Sequence, residues 1–270
     1  MTEVAGASAS ALSRGMIELG GVEIEVYRGG HETAPCLVFL HGGEGFWPDA
    51  PFARALARRF RVVAPMHPGF GRSSLPSWMD SVDDFAYVHL SLIEHLGLKD
   101  VLLVGVSAGG WIAAQIAIKN TSRIARLVLA SPVSIKVGGL NQLDVPDIFA
   151  MSRERLETLT YHDPAKWKFD PTGLSDEDLL TVARNWETLA LVTWEPYMHD
   201  PKLKHRLYRI DRPTLLLRGE SDDLVSAAYA RQFASLIPDA RLATIPAAGH
   251  MPHIEQPDAF ADRVIRFAAR

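Results

Sequence analysis

Several features that define large classes of proteins are missing from this sequence of 270 residues. It contains a single cysteine, Cys36, which excludes a disulfide within the chain and a cysteine-rich zinc site. Because Cys36 lies in an apolar run, we predict a small core residue rather than a reactive thiol. There is no H-E-x-x-H motif, and no G-x-G-x-x-G follows the first predicted buried strand. We therefore expect no metal and no cofactor.

Charge and hydropathy argue against two further classes of partner. The chain has 28 Lys and Arg against 32 Asp and Glu, a formal net charge of −4, and no block of like charges. Nucleic-acid binding therefore has no electrostatic basis. No apolar run approaches the roughly 18 residues that span a bilayer, and the first residues lack the pattern of a secretory signal. We expect a cytoplasmic protein that acts on a small molecule, without nucleic-acid or membrane partners, and the sequence leaves its oligomeric state open.

The apolar residues follow two periodicities that together predict an α/β fold. Apolar and charged residues alternate over 22–26, after a predicted turn at Gly20 and Gly21, which is typical of an edge hairpin. Continuous apolar runs predict strands buried on both faces, at 35–43, 61–66, 101–106, 126–131, 214–219 and 241–246. Amphipathic segments predict helices at 51–59, 82–96, 108–119, 226–236 and 257–269. This alternation predicts a mostly parallel, eight-stranded sheet with helices on both faces.

One segment without strand-like runs interrupts the alternation. Residues 135–208 carry several aromatic side chains and helix-like pieces, and Ser175 precedes two acidic residues at a suitable helix start. We therefore predict a helical lid inserted into an α/β core. The predicted division of the chain is a loose tail over 1–15, a core over 16–134 and 209–270, and the lid over 135–208. In such open sheets, ligands bind beyond the carboxyl ends of the strands.

The stretch VLLVGVSAGG, residues 101–110, places a serine between glycines directly after a predicted buried strand. If a helix starts near Ala108, Ser107 must occupy a tight, strained bend with its hydroxyl at the carboxyl edge of the sheet. Gly105 and Gly109 would remove the clashes that such a bend creates. The bend also lies at a helix N-terminus, where the amide of Ala108 can stabilise an oxyanion.

A serine hydroxyl is a poor nucleophile that needs a base, and the base needs an orienting acceptor. LRGESDDLVS supplies carboxylates just after one predicted strand, and IPAAGHMPHIEQP supplies histidines just after the next. Strand-end loops bring such distant positions together at one edge. His250 follows Gly249 in the loop, whereas His253 falls in the first turn of a helix that Pro252 would begin. We therefore predict His250 as the base.

The order of elements, with nucleophile, acid and histidine following each other along the chain, resembles the α/β-hydrolase family. The resemblance covers residues 16–270 and rests on the motifs HGGEGF, HPGFGRS, GVSAGG and GESDDLV…AAGHMPHIEQP. It implies a catalytic triad of Ser107, Asp222 and His250, because the family's acid usually stands three residues after the glycine of GESDD. Asp223 is the alternative acid.

The HGGEGF segment resembles the family's oxyanion loop, which implies a second amide beside that of Ala108. Gly43 is the predicted donor and Glu44 the alternative. The Glu44 carboxylate would oppose an oxyanion unless it points away or pairs with a cation. His41 is expected to brace the loop through hydrogen bonds. His67 stands where the family commonly has Asp, and we expect this loop histidine to be a surface group.

Large apolar side chains near these loops predict a hydrophobic substrate pocket. The predicted pocket residues are Phe46, Trp47, Trp111 and Met251, although Trp111 is equally compatible with packing of its helix against the sheet. Together with the resemblance, they predict a serine hydrolase that cleaves carboxylic esters of small or medium hydrophobic substrates through an acyl-enzyme on Ser107.

Other activities of the same fold are alternatives. HGGEG resembles the HGGPG loop of proline iminopeptidases with Glu in place of Pro, which leaves an aminopeptidase open. Carbon–carbon bond hydrolases of the meta-cleavage type share the triad, but they commonly carry Asn where this chain has Val106. Some members of the fold are ligand receptors or catalyse cofactor-free lyase or oxygenase reactions, and fold analogy alone does not separate these functions.

Overall fold

The structure, a computed structural model, describes residues 11–139 and 141–270, in which eight strands form one sheet. The strands are β1 (Leu12–Leu19), β2 (Val22–Gly29), β3 (Cys36–Leu40), β4 (Arg61–Pro65), β5 (Val101–Val106), β6 (Ile124–Ala130), β7 (Thr214–Gly219) and β8 (Ala240–Ile245). Their order across the sheet is β1-β2-β4-β3-β5-β6-β7-β8. β2 pairs antiparallel with β1 and β4, and all other neighbours are parallel. The predicted mostly parallel, eight-stranded sheet is confirmed.

Helices cover this sheet and follow the predicted positions closely. They are α1 (Pro51–Ala57), α2 (Val82–His95), α3 (Ala108–Lys119), α4 (Arg153–Thr160), α5 (Asp176–Thr193), α6 (Ala227–Ser235), α7 (Pro252–Glu255) and α8 (Pro257–Ala268). Every residue of β3, β5 and β7 is buried, Cys36 included. Because successive side chains of a strand point to opposite faces, such strands need cover on both. None of the helices in the described ranges is long and apolar enough to cross a membrane.

The N-terminal strand begins earlier than the sequence predicts. The tail was expected to extend over 1–15, but β1 starts at Leu12 and pairs with β2 from Leu12 opposite Gly29 to Leu19 opposite Val22. The prediction is wrong for residues 12–15, and residues 1–10 lie outside the described part of the chain. Main-chain hydrogen bonds hold an edge ladder together, so the strand extends through residues that give no apolar alternation.

Between β6 and β7 the chain forms α4, α5 and three short 3-10 turns, at Pro171–Gly173, Leu203–His205 and Leu207–Arg209. Helix α5 starts where the sequence predicts a helix start. Ser175 Oγ accepts a hydrogen bond from the Asp178 amide at 3.2 Å, and the Asp178 carboxylate accepts one from the Ser175 amide at 3.4 Å. This reciprocal capping satisfies two amides that the first turn of a helix leaves unpaired. Residue 140 of the predicted insertion lies outside the described residues.

The contact between α3 and the end of β3 depends on a glycine. A Cβ atom on Gly109 would penetrate the carbonyl oxygens of Leu40 and His41, and one on Gly105 would strike the Gly109 carbonyl. Both clashes involve main-chain atoms, which cannot rotate away as a side chain can. Gly105 and Gly109 therefore allow the close approach that the sequence predicts.

Substitution of Gly109 by Ala tests this close contact. We expect Gly109→Ala to lower the free energy of unfolding by about 2 kcal/mol or more, because the added methyl group forces α3 away from β3. Urea unfolding followed by circular dichroism measures the loss. The matched control is Gly173→Ala, where the added Cβ meets no atom within 4 Å. Equal losses in the two variants would contradict the role of the contact.

Candidate active site

Ser107 occupies the bend between β5 and α3 in an unusual backbone conformation. Its φ is 52° and its ψ is −116°, a region that costs a residue with a side chain roughly 1–3 kcal/mol. The bend is held on both sides, because the Ser107 amide donates to the Ala130 carbonyl at 2.9 Å and the Ser107 carbonyl accepts from the Trp111 amide at 3.2 Å. The predicted strained turn is confirmed.

The structure brings Ser107, Asp222 and His250 together. His250 Nε2 lies 2.9 Å from Ser107 Oγ, and His250 Nδ1 lies 3.1 Å from both carboxylate oxygens of Asp222. The Asp222 and His250 side chains are buried, whereas Ser107 is partly accessible. The three groups form a continuous hydrogen-bond chain from a buried carboxylate to an accessible hydroxyl.

Three parallel strands bring these residues to one edge of the sheet. Ser107 follows β5, Asp222 follows β7 and His250 follows β8. The last two loops are pressed against each other, since a Cβ on Gly219 would penetrate the carbonyl oxygen of Gly249. The close packing of these loops places the imidazole directly over the carboxylate.

Hydrogen bonds keep the Asp222 carboxylate charged although it is buried. Burial alone would raise its pKa, but the His250 imidazole and the Val225 amide, which donates to Oδ1 at 2.8 Å, hold the pKa below its ordinary value. An ionised Asp222 accepts from Nδ1–H of His250, which leaves the Nε2 lone pair free to accept the Ser107 proton. This tautomer is the one in which His250 can act as a base.

The neighbouring carboxylate has a different environment. Asp223 is exposed, and its amide donates to the Leu159 carbonyl at 3.3 Å. Of the two candidate acids in GESDD, it is therefore Asp222 that contacts His250.

Two amides lie beside Ser107 without an acceptor. The predicted donors Gly43 and Ala108 both line the same cavity as the Ser107 hydroxyl. Neither N–H group has a hydrogen-bond acceptor among residues 11–139 and 141–270. That of Ala108 belongs to the first turn of α3, whose amides have no partner within the helix. Two unpaired donors next to a hydroxyl are suited to hold an oxyanion.

The side chain of Glu44, the alternative donor, turns toward His253. Its Oε1 atom lies 3.3 Å from His253 Nε2 and accepts from the Gly42 amide, also at 3.3 Å. His253 itself lies in the first turn of α7, as predicted, and it is buried. The carboxylate thus contacts an imidazole, whereas the sequence predicts that Glu44 points away or pairs with a cation.

Three buried histidines brace the oxyanion loop. His41 Nδ1 donates to the Gly42 carbonyl at 2.6 Å, and its Nε2 accepts from the His67 amide at 3.2 Å. His67 Nε2 donates to the His41 carbonyl at 2.9 Å, while its Nδ1 lies 2.8 Å from His89 Nε2. His41 therefore has the bracing position that was expected of it.

The expectation that His67 is a surface group is wrong. The side chain is only 1% exposed, because it packs between His41 and the aromatic ring of Phe85. Its partner His89 lies on α2, 22 residues further along the chain. No spacing rule connects two histidines at that distance, so the sequence could not identify the pair.

The same burial keeps the three imidazoles uncharged. Loss of solvation lowers the pKa of His41 to about 4 and that of His89 to about 3, and it holds the pKa of His67 well below its ordinary value. Neutral rings can satisfy each other here, because each donated N–H meets a carbonyl oxygen or an unprotonated ring nitrogen. The loop that carries Gly43 thus rests on a neutral hydrogen-bond chain.

A cavity of about 610 Å³ lies over Ser107, between the sheet edge and the segment inserted after β6. Trp47 and Met251 line it, where the sequence predicts a pocket. Residues of the insertion form much of the wall, among them Tyr161, Trp167 and Leu189. The sequence did not predict these wall residues individually. It indicated only that the segment 135–208, which is rich in aromatic side chains, forms part of the site.

Two predicted pocket residues lie elsewhere in the described structure. Phe46 is buried between Phe39 and Phe52, with ring centroids at 5.6 and 6.1 Å. Trp111 is buried in α3, a helix whose residues 108–118 are all buried. Both predictions are wrong, because closeness in sequence to a site residue does not indicate which way a side chain points.

Among the described residues, no group of three His, Cys, Asp or Glu side chains is arranged to hold a metal ion.

The pH dependence of stability tests the neutral histidine chain. Unfolded histidines take up protons below about pH 6.5, whereas the folded rings do not until pH falls to about 4 or lower. Stability is therefore complete above pH 6.5 and falls as pH decreases, by about 1.4 kcal/mol per unit for each ring. We expect His89→Gln, which keeps an amide donor toward His67, to flatten this slope by about one such increment, measured by urea unfolding between pH 7 and pH 4.

The control is His205→Gln, which removes an exposed histidine. This variant should keep the wild-type slope. An unchanged slope in His89→Gln would mean that His89 is not held neutral by burial.

Comparison with known proteins identifies the family of this chain. Residues 37–263 match the sequence profile of the alpha/beta hydrolase family. Curated relatives at low identity include esterases and a carbon–carbon bond hydrolase. One is the pimeloyl-[acyl-carrier protein] methyl ester esterase of Nitrosospira multiformis, 26% identical over 91% of this chain and 99% of its own length.

Two further matches differ in the share of the matched protein that this chain spans. The polyketide synthase ThaQ of Burkholderia thailandensis is 28% identical over 95% of this chain, which spans only 13% of that much longer protein. The solved structure of the 2-hydroxy-6-oxo-6-phenylhexa-2,4-dienoate hydrolase from Rhodococcus sp. strain RHA1 shares the fold, with a TM-score of 0.74, 19% identity and coverage of 96% of this chain and 99% of that one. From the matched profile and the sheet, this chain belongs to the alpha/beta hydrolase family.

Proposed function

We propose that this enzyme is a serine hydrolase that cleaves carboxylic esters of small or medium hydrophobic substrates through an acyl-enzyme on Ser107. The observation that carries the proposal is the chain from Asp222 through His250 to Ser107, with contacts of 3.1 and 2.9 Å, which ends at the floor of a largely apolar cavity. Such a chain converts an inert alcohol into a nucleophile.

The first half of the reaction forms the acyl-enzyme. Ser107 Oγ attacks the ester carbonyl carbon while His250 Nε2 takes up its proton, and Asp222 stabilises the resulting imidazolium. The carbonyl oxygen becomes an oxyanion held by the amides of Gly43 and Ala108, each worth about 3 kcal/mol in such a site. His250 then returns the proton to the alkoxy oxygen, which leaves as an alcohol.

The second half releases the acid. A water molecule gives a proton to His250 Nε2 and attacks the acyl carbon, and the same two amides hold the second oxyanion. Collapse of this intermediate breaks the bond to Ser107 Oγ, which recovers its proton from His250. The products are a carboxylic acid and an alcohol, and no cofactor is consumed.

The cavity supports substrates of modest size. Its volume of about 610 Å³ lies within the usual range of small-molecule sites, and Trp47, Leu189 and Met251 contribute to its apolar walls. We propose that residues 135–208 act as the cap that closes it. Two polar contacts support closure, since the Asn185 side chain accepts from the Gly71 amide at 3.0 Å and Thr188 Oγ1 donates to the Gly69 carbonyl at 3.1 Å.

The charges of the cavity argue against the carbon–carbon alternative. The structural neighbour with that activity is named for a dienoate, an anionic substrate. Here the cavity is lined by Glu44, Glu157 and Asp170, while Arg153, the one Lys or Arg among the described lining residues, lies 3.5 Å from Glu157. A carboxylate substrate would meet repulsion without a free cation to hold it.

Backbone strain argues against a receptor without catalysis. A ligand receptor needs shape complementarity but gains nothing from a positive φ at Ser107 or from unpaired amides at Gly43 and Ala108. Strain of this kind persists where function needs the geometry.

Removal of the nucleophile is the direct test of the mechanism. We expect Ser107→Ala to lower kcat/KM for p-nitrophenyl butyrate by about 10⁴-fold or more, because no acyl-enzyme can form. Thermal unfolding should show an intact fold, with a midpoint at or above that of the wild type. The substitution removes only one side-chain contact, that between Ser107 Oγ and His250. Equal turnover by both proteins would refute the mechanism.

The two neighbouring carboxylates provide a matched comparison. Asp222→Asn should lower kcat about 10³ to 10⁴-fold, because the amide no longer selects the tautomer of His250. Asp223→Asn should remain within about twofold of the wild type, since its side chain is exposed. Steady-state kinetics on one ester measures both, and the opposite ranking would assign the acid to Asp223.

A further inference from the structure

A carboxylate lies beside the reactive serine and takes no part in the proposed mechanism. Glu44 lines the same cavity as Ser107. A Cβ atom added to the intervening Gly42 would contact both Glu44 Oε2 and Ser107 Cβ. The charge of Glu44 is therefore within a few ångströms of the position where the oxyanion develops.

The hydrogen bonds of this carboxylate are incomplete. Oε1 has the Gly42 amide and His253 as partners, but Oε2 is buried and has no donor in the described ranges 11–139 and 141–270. Burial would raise the pKa of Glu44, yet His253 holds it below the ordinary value, so the group is ionised at neutral pH. A buried carboxylate oxygen without a donor keeps its charge unshielded, so the field of Glu44 extends toward Ser107.

His253 contacts only one of the two carboxylate oxygens of Glu44. Its Nδ1 atom is buried without a partner among the described residues, and its ring packs against Phe52 and Phe260 at 4.8 and 5.8 Å. Of the two ring nitrogens of His253, only Nε2 has a partner among the described residues, and that partner is Glu44. The contact with His253 therefore leaves Oε2, the oxygen on the side of Gly42 and Ser107, without a partner.

The remaining charges of the cavity do not compensate either. Arg153 lies 3.5 Å from Glu157, and its guanidinium group stacks over Phe169 at 3.8 Å. Asp170 is exposed and bonds to Thr172, which leaves Glu44 as the carboxylate next to Ser107 that pairs with no Lys or Arg in the described ranges. The potential inside the cavity is therefore negative, which attracts cations and repels anions.

The aromatic walls suit a cation as well. Trp47, Tyr161 and Trp167 line the cavity, and aromatic faces attract ammonium groups. The field of Glu44 reaches this wall, because burial, and after it the charge of Glu44, raises the pKa of Tyr161 to about 12.

We infer that the site takes hydrophobic esters whose acyl part carries a protonated amine, and that Glu44 is the residue that selects them. The inference rests on the ester hydrolysis proposed above and names its substrate class. An ammonium group next to the scissile carbonyl would lie within the field of the Glu44 carboxylate, which attracts it. It also offsets the repulsion between Glu44 and the developing oxyanion, so that the benefit extends from binding to the chemical step.

Three methyl esters of the same shape test the inference at mildly acidic pH, where the amine is protonated. They are phenylalanine methyl ester, 3-phenylpropionic acid methyl ester and the monomethyl ester of benzylmalonic acid, which differ only in an ammonium, a hydrogen or a carboxylate on one carbon. We expect wild-type kcat/KM to be about tenfold higher for the amine than for the neutral ester, equivalent to about 1.4 kcal/mol, and lowest for the acid.

The same series on Glu44→Gln isolates the charge. In this variant the ratio of amine to neutral ester should fall about tenfold below the wild-type ratio, because the intrinsic activation of the carbonyl by the ammonium group is the same in both proteins. The matched control is Asp49→Asn, which removes an exposed carboxylate that pairs with Arg54 a few residues further along the chain, and it should keep the wild-type ratio. Inhibition of the wild type by 2-phenylethylammonium, expected to be about tenfold stronger than by neutral 3-phenylpropanol, tests the same point if the variant is unstable.

The outcomes separate the two proposals. Equal ratios in wild type and Glu44→Gln, or equal inhibition by the two probes, would overturn the inference and leave Glu44 as a brace of its loop. Failure of the wild type to hydrolyse any of the three esters, or p-nitrophenyl esters, would instead overturn the proposed function and the inference with it.

Discussion

At Ser107 the chain passes from β5 into α3 within one residue, and the backbone holds a positive φ to do so. The strained backbone at this turn costs free energy, and the packing of the surrounding residues has to offset that cost. Gly105 and Gly109 let the strand, the bend and the helix approach until their main-chain atoms touch. The same turn leaves the first amide of α3 unpaired beside the hydroxyl. The position of the Ser107 hydroxyl and the unpaired amide of Ala108 therefore arise from a single backbone constraint.

Burial acts on the charged groups of the site in opposite directions, and their partners decide the result. His41, His67 and His89 have only one another and backbone carbonyls as partners, so loss of solvation keeps them neutral. Asp222 is fully buried and Glu44 is 19% exposed, but imidazoles and amides donate to both and keep them ionised. The oxyanion loop thus has an uncharged support on one side and a negative charge on the other.

Strands and helices of the core were predictable because each carries its own periodicity. The positions of Ser107 and His250 followed from the elements on which they lie, and the choice of Asp222 over Asp223 came from resemblance to a family motif. The direction in which a side chain points was harder to predict from the sequence. Phe46 and Trp47 are adjacent, yet one is buried in the core and the other faces the cavity.

Contacts between distant segments could not be predicted either. The pairing of His67 with His89 and that of Glu44 with His253 join parts of the chain that no local pattern connects. The early start of β1 could not be predicted for a related reason. Main-chain hydrogen bonds form its ladder with β2, and they place little restriction on which side chains occur there.

The end of α4 reaches the loop that carries the base. The His250 amide donates to the Thr160 carbonyl at 2.6 Å, and a Cβ on Gly249 would strike the same carbonyl oxygen. Main-chain atoms of the inserted segment therefore fix the height of the imidazole above the serine. If residues 135–208 cap the cavity as proposed, a movement of α4 away from the sheet would break this hydrogen bond and displace His250, so substrate entry and proton transfer would require different conformations.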